Sequence, residues 1–395
     1  MPWKECHVMD ERLRFIARLL DGERMTTVCE EFGIARKTGY KLYKRYKQTG
    51  VQGLSDRSRR PLRHANQLPL AIEQLIVRLK KKYPSWGAPK IREKLRPQCA
   101  PVQCPAISTV HAVLDRHGLV RRRGRRRPRV TGTLLSRVTT PNALWCADFK
   151  GEFMLADRRY CYPLTITDFA SRYLLSCEAL STTRTIFAYS VFERAFKDFG
   201  LPRAIRTDNG CPFASSNSLF GLTKLSVWWL RLGIDIERIK PGHPEQNGRH
   251  ERMHLTLKKE ATRPAARNFL QQQAKFDQFI HDFNEERPHQ ALAMRCPAEL
   301  YRPSPRPYNR LPELEYPFHD HTITVTRCGR ICFGPQKINL SQAFAGQRVG
   351  IKQIEEKIWL VSFMSYDLGF FDHETCRIES AENPFVAKVS PMSPE

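Results

Sequence analysis

Acidic side chains are scarce in this chain. Of 395 residues, 40 are Asp or Glu against 65 Lys or Arg, which leaves a formal charge of +25. Long apolar runs are missing too. None approaches the roughly 18 residues a membrane helix needs, and the opening Met1-Pro2-Trp3-Lys4-Glu5 has no signal-peptide pattern. The 12 cysteines are scattered, with no C-x-x-C spacing. Cys99/Cys104 and Cys328/Cys332 are the nearest pairs, and neither has the second half of a zinc signature. A disulfide scaffold and a zinc finger are therefore excluded, and a reducing cytoplasm is expected. With 41% hydrophobic and 27% charged residues the chain is expected to fold, into two to four domains at this length.

The acid deficit is local. Residues 1–140 hold 32 Lys+Arg and 11 Asp+Glu, whereas the rest of the chain holds 33 and 29. Such asymmetry points to a polyanionic partner at the N-terminal end. Residues 10–48 predict three short helices: Leu13, Ile16, Ala17 and Leu20 repeat at helical spacing, Gly33 marks a tight turn, and a basic helix runs from Arg36 to Lys47. A short helix, a Gly-containing turn and a basic helix make a helix-turn-helix, whose last helix enters the major groove of DNA. The candidate contacts there are Arg36, Lys37, Tyr40, Lys41 and Lys44. A second helical unit is predicted at about 69–83, 88–96 and 107–117, after a basic turn carrying Arg57, Arg59 and Arg60. Then follow Arg121, Arg122, Arg123, Arg125, Arg126 and Arg127, a tract that cannot pack and is read as tracking phosphates.

Beyond residue 140 the pattern becomes α/β. Strands are expected at 144–149, 162–167, 172–177 and 204–206, helices at 185–199 and 218–232, a strand at 234–239, and a helix from about 246 to 262. Three antiparallel strands, a helix, a strand and a helix give the order of a ribonuclease H-like sheet. Asp148 sits among apolar strand residues, which is costly unless it is paired or metal-bound. For Asp208, before Asn209-Gly210, an Asx turn is the simple explanation, and Glu251 taken alone is an ordinary helical glutamate. Together the three can converge on one sheet edge, where hard oxygen ligands suit two Mg²⁺ or Mn²⁺ ions.

Trp145-Cys146-Ala147-Asp148, Arg206-Thr207-Asp208-Asn209-Gly210 and the stretch 241–252 resemble the three blocks of the DDE integrase core. That core is shared by retroviral integrases and bacterial insertion-sequence transposases. Phe283-Asn284-Glu285-Glu286-Arg287-Pro288-His289 resembles the tail of the insertion-sequence version. The resemblance covers about residues 10–300. It implies a transposase that binds the terminal inverted repeats of an element, cuts there and joins the 3′-hydroxyl ends to target double-stranded DNA. It also implies a synaptic homo-oligomer at the bacterial nucleoid. By position it assigns Asp148, Asp208 and Glu251 as the metal-binding triad, with Glu245 the competitor for the third place. Between Asp208 and Glu251 lie 42 residues, somewhat more than in the retroviral pattern. Lys258, at i+7 from Glu251, matches a position that touches DNA ends. Asp168 and His289 are expected to be structural. Two other readings are a catalytically silent DNA-binding derivative and a nuclease without joining activity; the complete triad argues against the first and the paired helix-turn-helix units against the second.

After the Pro-rich stretch 301–307, short strands predict a small β-barrel. Residues 310–395 hold 9 basic and 11 acidic side chains, so general phosphate binding there is not expected. The expected organisation is a helix-turn-helix domain (1–52), a second such unit (53–120), an Arg-rich linker (121–139), the catalytic domain (140–300), a Pro-rich linker (301–315) and the barrel (316–385).

Overall fold

The computed structural model describes residues 7–56, 68–99, 104–120, 135–136, 138–216, 218–240, 243–309, 311–372 and 377–385. Arg57, Arg59, Arg60, Arg121, Arg122, Arg123, Arg125, Arg126 and Arg127 lie outside them. The chain divides into two compact units, Met1–Pro69 and Leu70–Glu395.

The first unit is three helices, α1 (Val8–Leu20), α2 (Met25–Glu31) and α3 (Arg36–Thr49). Phe15, Ile16, Val28, Cys29 and Leu54 form its core. The apolar spacing in α1 puts Phe15 and Ile16 inward, and Gly39 lets α3 approach them. A Cβ on Gly39 would lie 2.5 Å from Cys29 Sγ and 2.9 Å from Phe15 Cζ. Gly39→Val is therefore expected to destabilise this unit by roughly 2 kcal/mol through overpacking, despite leaving a better helix former there. Thermal unfolding of the full chain, followed by hydrogen exchange in α1–α3, checks it. With Gly39 inward, Arg36, Lys37, Tyr40, Lys41 and Lys44 are exposed along the opposite face of α3.

The second unit opens with α4 (Leu70–Lys82), α5 (Ala88–Leu95) and α6 (Ile107–Arg116). Ile76, Ile91, Leu95, Val110 and Val113 are buried in this trio. It docks on the following α/β region: Tyr83 Oη donates to Glu286 Oε2 at 2.9 Å, Lys94 pairs with Glu286, and Ser85 bonds Glu260.

Next comes a six-stranded mixed sheet of β1 (Trp145–Phe149), β2 (Phe153–Met154), β3 (Tyr160–Asp168), β4 (Leu174–Leu180), β5 (Ala204–Thr207) and β6 (Asp235–Arg238). β3 pairs antiparallel with β1, β2 and β4, while β1, β5 and β6 run parallel. This is the ribonuclease H-like order expected from the sequence. Strand alternation assigns the faces. Trp145, Ala147, Leu164, Ile166 and Ile205 pack under α7 (Thr185–Phe199) and α8 (Lys224–Arg231) through Phe192, Phe196 and Trp229. Cys161, Leu174 and Cys177 face the other way, against Met253 and Leu257 of α9 (Gly248–Glu260) and Phe276 and Phe279 of α10 (Phe269–His281). The parity that turns Trp145 and Ala147 toward α7 turns Asp148 toward α9.

Asp168 closes β3 as expected, in a structural role. It is 1% exposed and accepts the N–H groups of Asn142 and Ser171 at 2.7 Å and the Ser171 hydroxyl at 2.6 Å. After α11 (Pro297–Leu300), the Pro-rich stretch lies on the core. Leu201 N–H donates to Arg306 O at 2.7 Å, and Tyr308 packs on Phe196.

The C-terminal region departs from expectation. β7 (His321–Thr324), β10 (Arg348–Glu355), β11 (Ile358–Phe363), β12 (Tyr366–Asp372) and β13 (Ile378–Ser380) form an open five-stranded sheet, while β8 (Arg330–Phe333) and β9 (Gln336–Asn339) pair only with each other. Among the described residues no ladder closes a barrel. Ile331 and Ile338 of the β8–β9 ribbon instead cover Val349, Ile351 and Val361 as a second layer. The same core takes in Val227 and Leu230 of α8. Burial that a closed barrel would supply internally is thus supplied by the ribbon and by α8.

Candidate active site

Asp148 stands on β1 opposite Thr165 of β3. Its side chain is 22% exposed. Burial, then the negative charge of Asp208, then that of Glu251, push its carboxyl up to about 7, against the pull of the Phe149 N–H. All three acids found in the sequence therefore act on one place. Asp208 follows β5, where burial raises it and the Gly210 N–H opposes the rise. A Cβ on Gly210 would lie 2.9 Å from Asp208 Oδ2, so the glycine lets the backbone close on the carboxylate. Glu251 lies exposed in the first turn of α9, and its carboxyl is raised by burial and by Glu245. Glu245 itself is engaged elsewhere, accepting from His243 Nδ1 at 2.8 Å.

The acids are held by a buried cation. Arg206, 0% exposed, carries β5 toward Asp208 and bonds Glu237 of β6 twice, at 2.8 and 3.2 Å. It also donates to Gln246 O, just before α9, at 3.2 Å. Arg206 and Arg249 share the ring of Phe169, at 4.8 and 4.0 Å. One side chain thus ties the strand of Asp208 to the approach to Glu251.

On the α9 side, Thr165 Oγ1 lies 2.7 Å from both His250 Nε2 and His254 Nε2, and Thr167 Oγ1 lies 2.8 Å from His250 Nδ1. Burial pushes His250 down to about 3 and His254 to about 2, so both rings are neutral. This network was not found from the sequence. The signal was Thr165 and Thr167 alternating with apolar residues in β3, with histidines four apart on a helix.

Among the described residues three buried oxygens around the site lack a protein partner: Asp208 Oδ1, Thr207 Oγ1 and Asn247 Oδ1. A partnerless buried carboxylate oxygen beside a second, mutually repelling carboxylate is the donor set that a divalent cation satisfies.

Cations surround the acids. Lys150 at the end of β1 is lowered by burial and by Lys258, which is exposed on α9. Arg172 is lowered by burial, Arg249 and Arg252, and Lys90 of α5 is pushed down to about 7 by burial and then by Arg287, with Arg252 adding to the effect. None of Lys90, Arg172, Arg249 and Arg252 appeared among the DNA contacts expected from sequence, because they meet only in the folded chain. His289 packs on Phe283 at 4.8 Å, the structural role expected of it. Burial, then Lys90, Arg287 and Arg172, push it down to about 3. The unfolded chain therefore takes up this proton first. His289 contributes stability above pH about 6.5 that is lost as the pH falls toward about 3. Unfolding measured across that range is expected to be less pH-dependent in His289→Gln.

The integrase core domain matches residues 138–244, and a second form of it matches residues 232–297. A helix-turn-helix domain matches 11–61 and a homeodomain-like domain 38–114. An insertion element IS407 protein of 31.7 kDa from Burkholderia multivorans is 27% identical over 211 residues, 48% of this chain and 73% of that one. An insertion element IS476 protein of 39.2 kDa from Xanthomonas euvesicatoria is 25% identical over 254 residues, 62% and 70%. The chain thus carries an integrase core domain and is similar to proteins of bacterial insertion elements. Its helix-turn-helix units are DNA-binding domains. Similar solved structures include the HTLV-2 integrase catalytic core domain in complex with magnesium, 16% identical with a TM-score of 0.34 over 42% of this chain and 100% of that chain. The intasome of simian T-cell lymphotropic virus is 17% identical, TM-score 0.37, over 70% and 97%. Among the described residues no helix is long and apolar enough to cross a membrane.

Proposed function

We propose that this chain is an active transposase, which binds the terminal repeats of its element, cleaves there and joins the 3′-hydroxyl ends to target DNA. The observation that carries this reading is Asp148, raised by burial and by the charges of Asp208 and Glu251, together with an Asp208 Oδ1 that is buried and has no partner among the described residues. On this reading the three carboxylates hold two Mg²⁺ or Mn²⁺ ions. Divalent ions so held polarise the phosphate, lower the pKa of an attacking water or hydroxyl, and neutralise the leaving oxygen. Arg206 fixes the separation of the acids. Lys150, Lys258, Arg249 and Arg252 face the scissile strand and hold its backbone in line. The exposed face of α3 reads the element end, so the ends are brought to the carboxylates by separate modules, and synapsis of two ends takes more than one copy of the chain.

Labelled terminal-repeat DNA incubated with the full chain and Mg²⁺ tests the reading. Products joined through the labelled 3′ end are expected. Binding without joining, with every acid intact, would leave a silent DNA-binding protein instead.

A further inference from the structure

Proton placement around Thr165 leaves one ring nitrogen of His254 bare. The Thr165 hydroxyl meets three polar atoms: Asp148 main-chain O at 3.1 Å, and His250 Nε2 and His254 Nε2, each at 2.7 Å. A hydroxyl has one proton and two lone pairs, and a carbonyl oxygen only accepts. All three contacts are satisfied when Thr165 donates to Asp148 O and accepts from both Nε2–H groups. A neutral imidazole has one N–H, so both Nδ1 atoms are then acceptors. The lone pair of His250 is used, because Thr167 Oγ1 donates to it at 2.8 Å.

His254 Nδ1 has no donor among the described residues. What faces it is Asp148 Oδ2 at 3.7 Å, with the two side chains 9% and 22% exposed. With Asp148 ionised, two acceptors point at each other in a half-dry site and repel. A cation relieves this: metal–nitrogen and metal–oxygen bonds of about 2.0–2.2 Å span this gap. His250 Nδ1 or Nε2 also lies within 4.8 Å of the other two ligand atoms, but both its nitrogens are engaged and it stays out of the coordination.

We propose that His254 Nδ1 is a direct metal ligand, forming with Asp148 Oδ2 a mixed nitrogen–oxygen site that favours Mn²⁺ over Mg²⁺. Magnesium prefers oxygen ligands, whereas an imidazole nitrogen raises the affinity for Mn²⁺ and later first-row ions. This rests on the proposed role of Asp148 as a cation ligand.

The test is pulsed EPR of Mn²⁺ on the full-length chain, which reads nitrogen bound directly to the ion. A ¹⁴N coupling is expected, and it should convert to the ¹⁵N pattern in protein grown with ¹⁵N-histidine. His254→Gln should lose the coupling and bind Mn²⁺ about tenfold or more weakly, while His250→Gln keeps the coupling. Manganese bound through Asp148 with no nitrogen coupling would overturn the inference and leave the carboxylate site standing. Manganese bound equally well by Asp148→Asn, or not bound at all, would overturn both. The wild-type spectra decide even if a variant misfolds.

Discussion

Asp148→Asn is expected to slow strand transfer at least about a thousandfold, roughly 4 kcal/mol of transition-state stabilisation, while DNA binding stays nearly unchanged. The change is isosteric and removes one charge from the place where the other two acids act. It also relieves the repulsion between buried carboxylates, so the variant should be no less stable than the parent. Lost joining with an unchanged or raised melting temperature separates a chemical role from a structural one. The binding face of α3 lies in the other compact unit, so gel-shift affinity for terminal repeats should follow Arg36 and Lys37 and not Asp148. An Asp148→Asn protein that joins DNA at the parental rate would remove this residue from the chemistry.

The second large effect concerns the clamp. Glu237→Ala is expected to cost about 3 kcal/mol, more than Arg206→Met, although both break the same pair. The asymmetry follows from burial: Arg206 is 0% exposed and the Glu237 side chain 20%. Losing the glutamate strands a full positive charge inside the protein. Losing the arginine leaves a carboxylate that water reaches and that Ser136 still bonds at 2.7 Å. Denaturant unfolding of the two variants ranks them, and the opposite order would show that the clamp is not governed by desolvation. Because Arg206 also holds Gln246 O, joining should fall in both variants even where the fold survives.

The helices and core strands could be read from the sequence because their signals are local. Periodicity marked α1, α4 and α7, and turn residues bounded them. The three candidate acids stood out for a different reason: Asp148, Asp208 and Glu251 each sit in a block of distinctive neighbours. What escaped depends on residues distant in sequence. The exposed cations Arg249 and Arg252 look like ordinary helix-surface charge until Lys90 of α5 and Arg172, after β3, come beside them. The His250–Thr165–Thr167 network needs α9 packed against β3, which no single segment specifies. The barrel expectation failed similarly. Short strands were found, but Val227 and Leu230 of α8 share their apolar core, a contact between distant segments.

Calorimetric titration of Mg²⁺ into the full chain, alone and with DNA bound, tests the central claim most directly. Uptake by the parent protein that is abolished in Asp148→Asn and in Asp208→Asn is the predicted result. Heats indistinguishable between the parent and these variants, or no uptake even with DNA present, would contradict it.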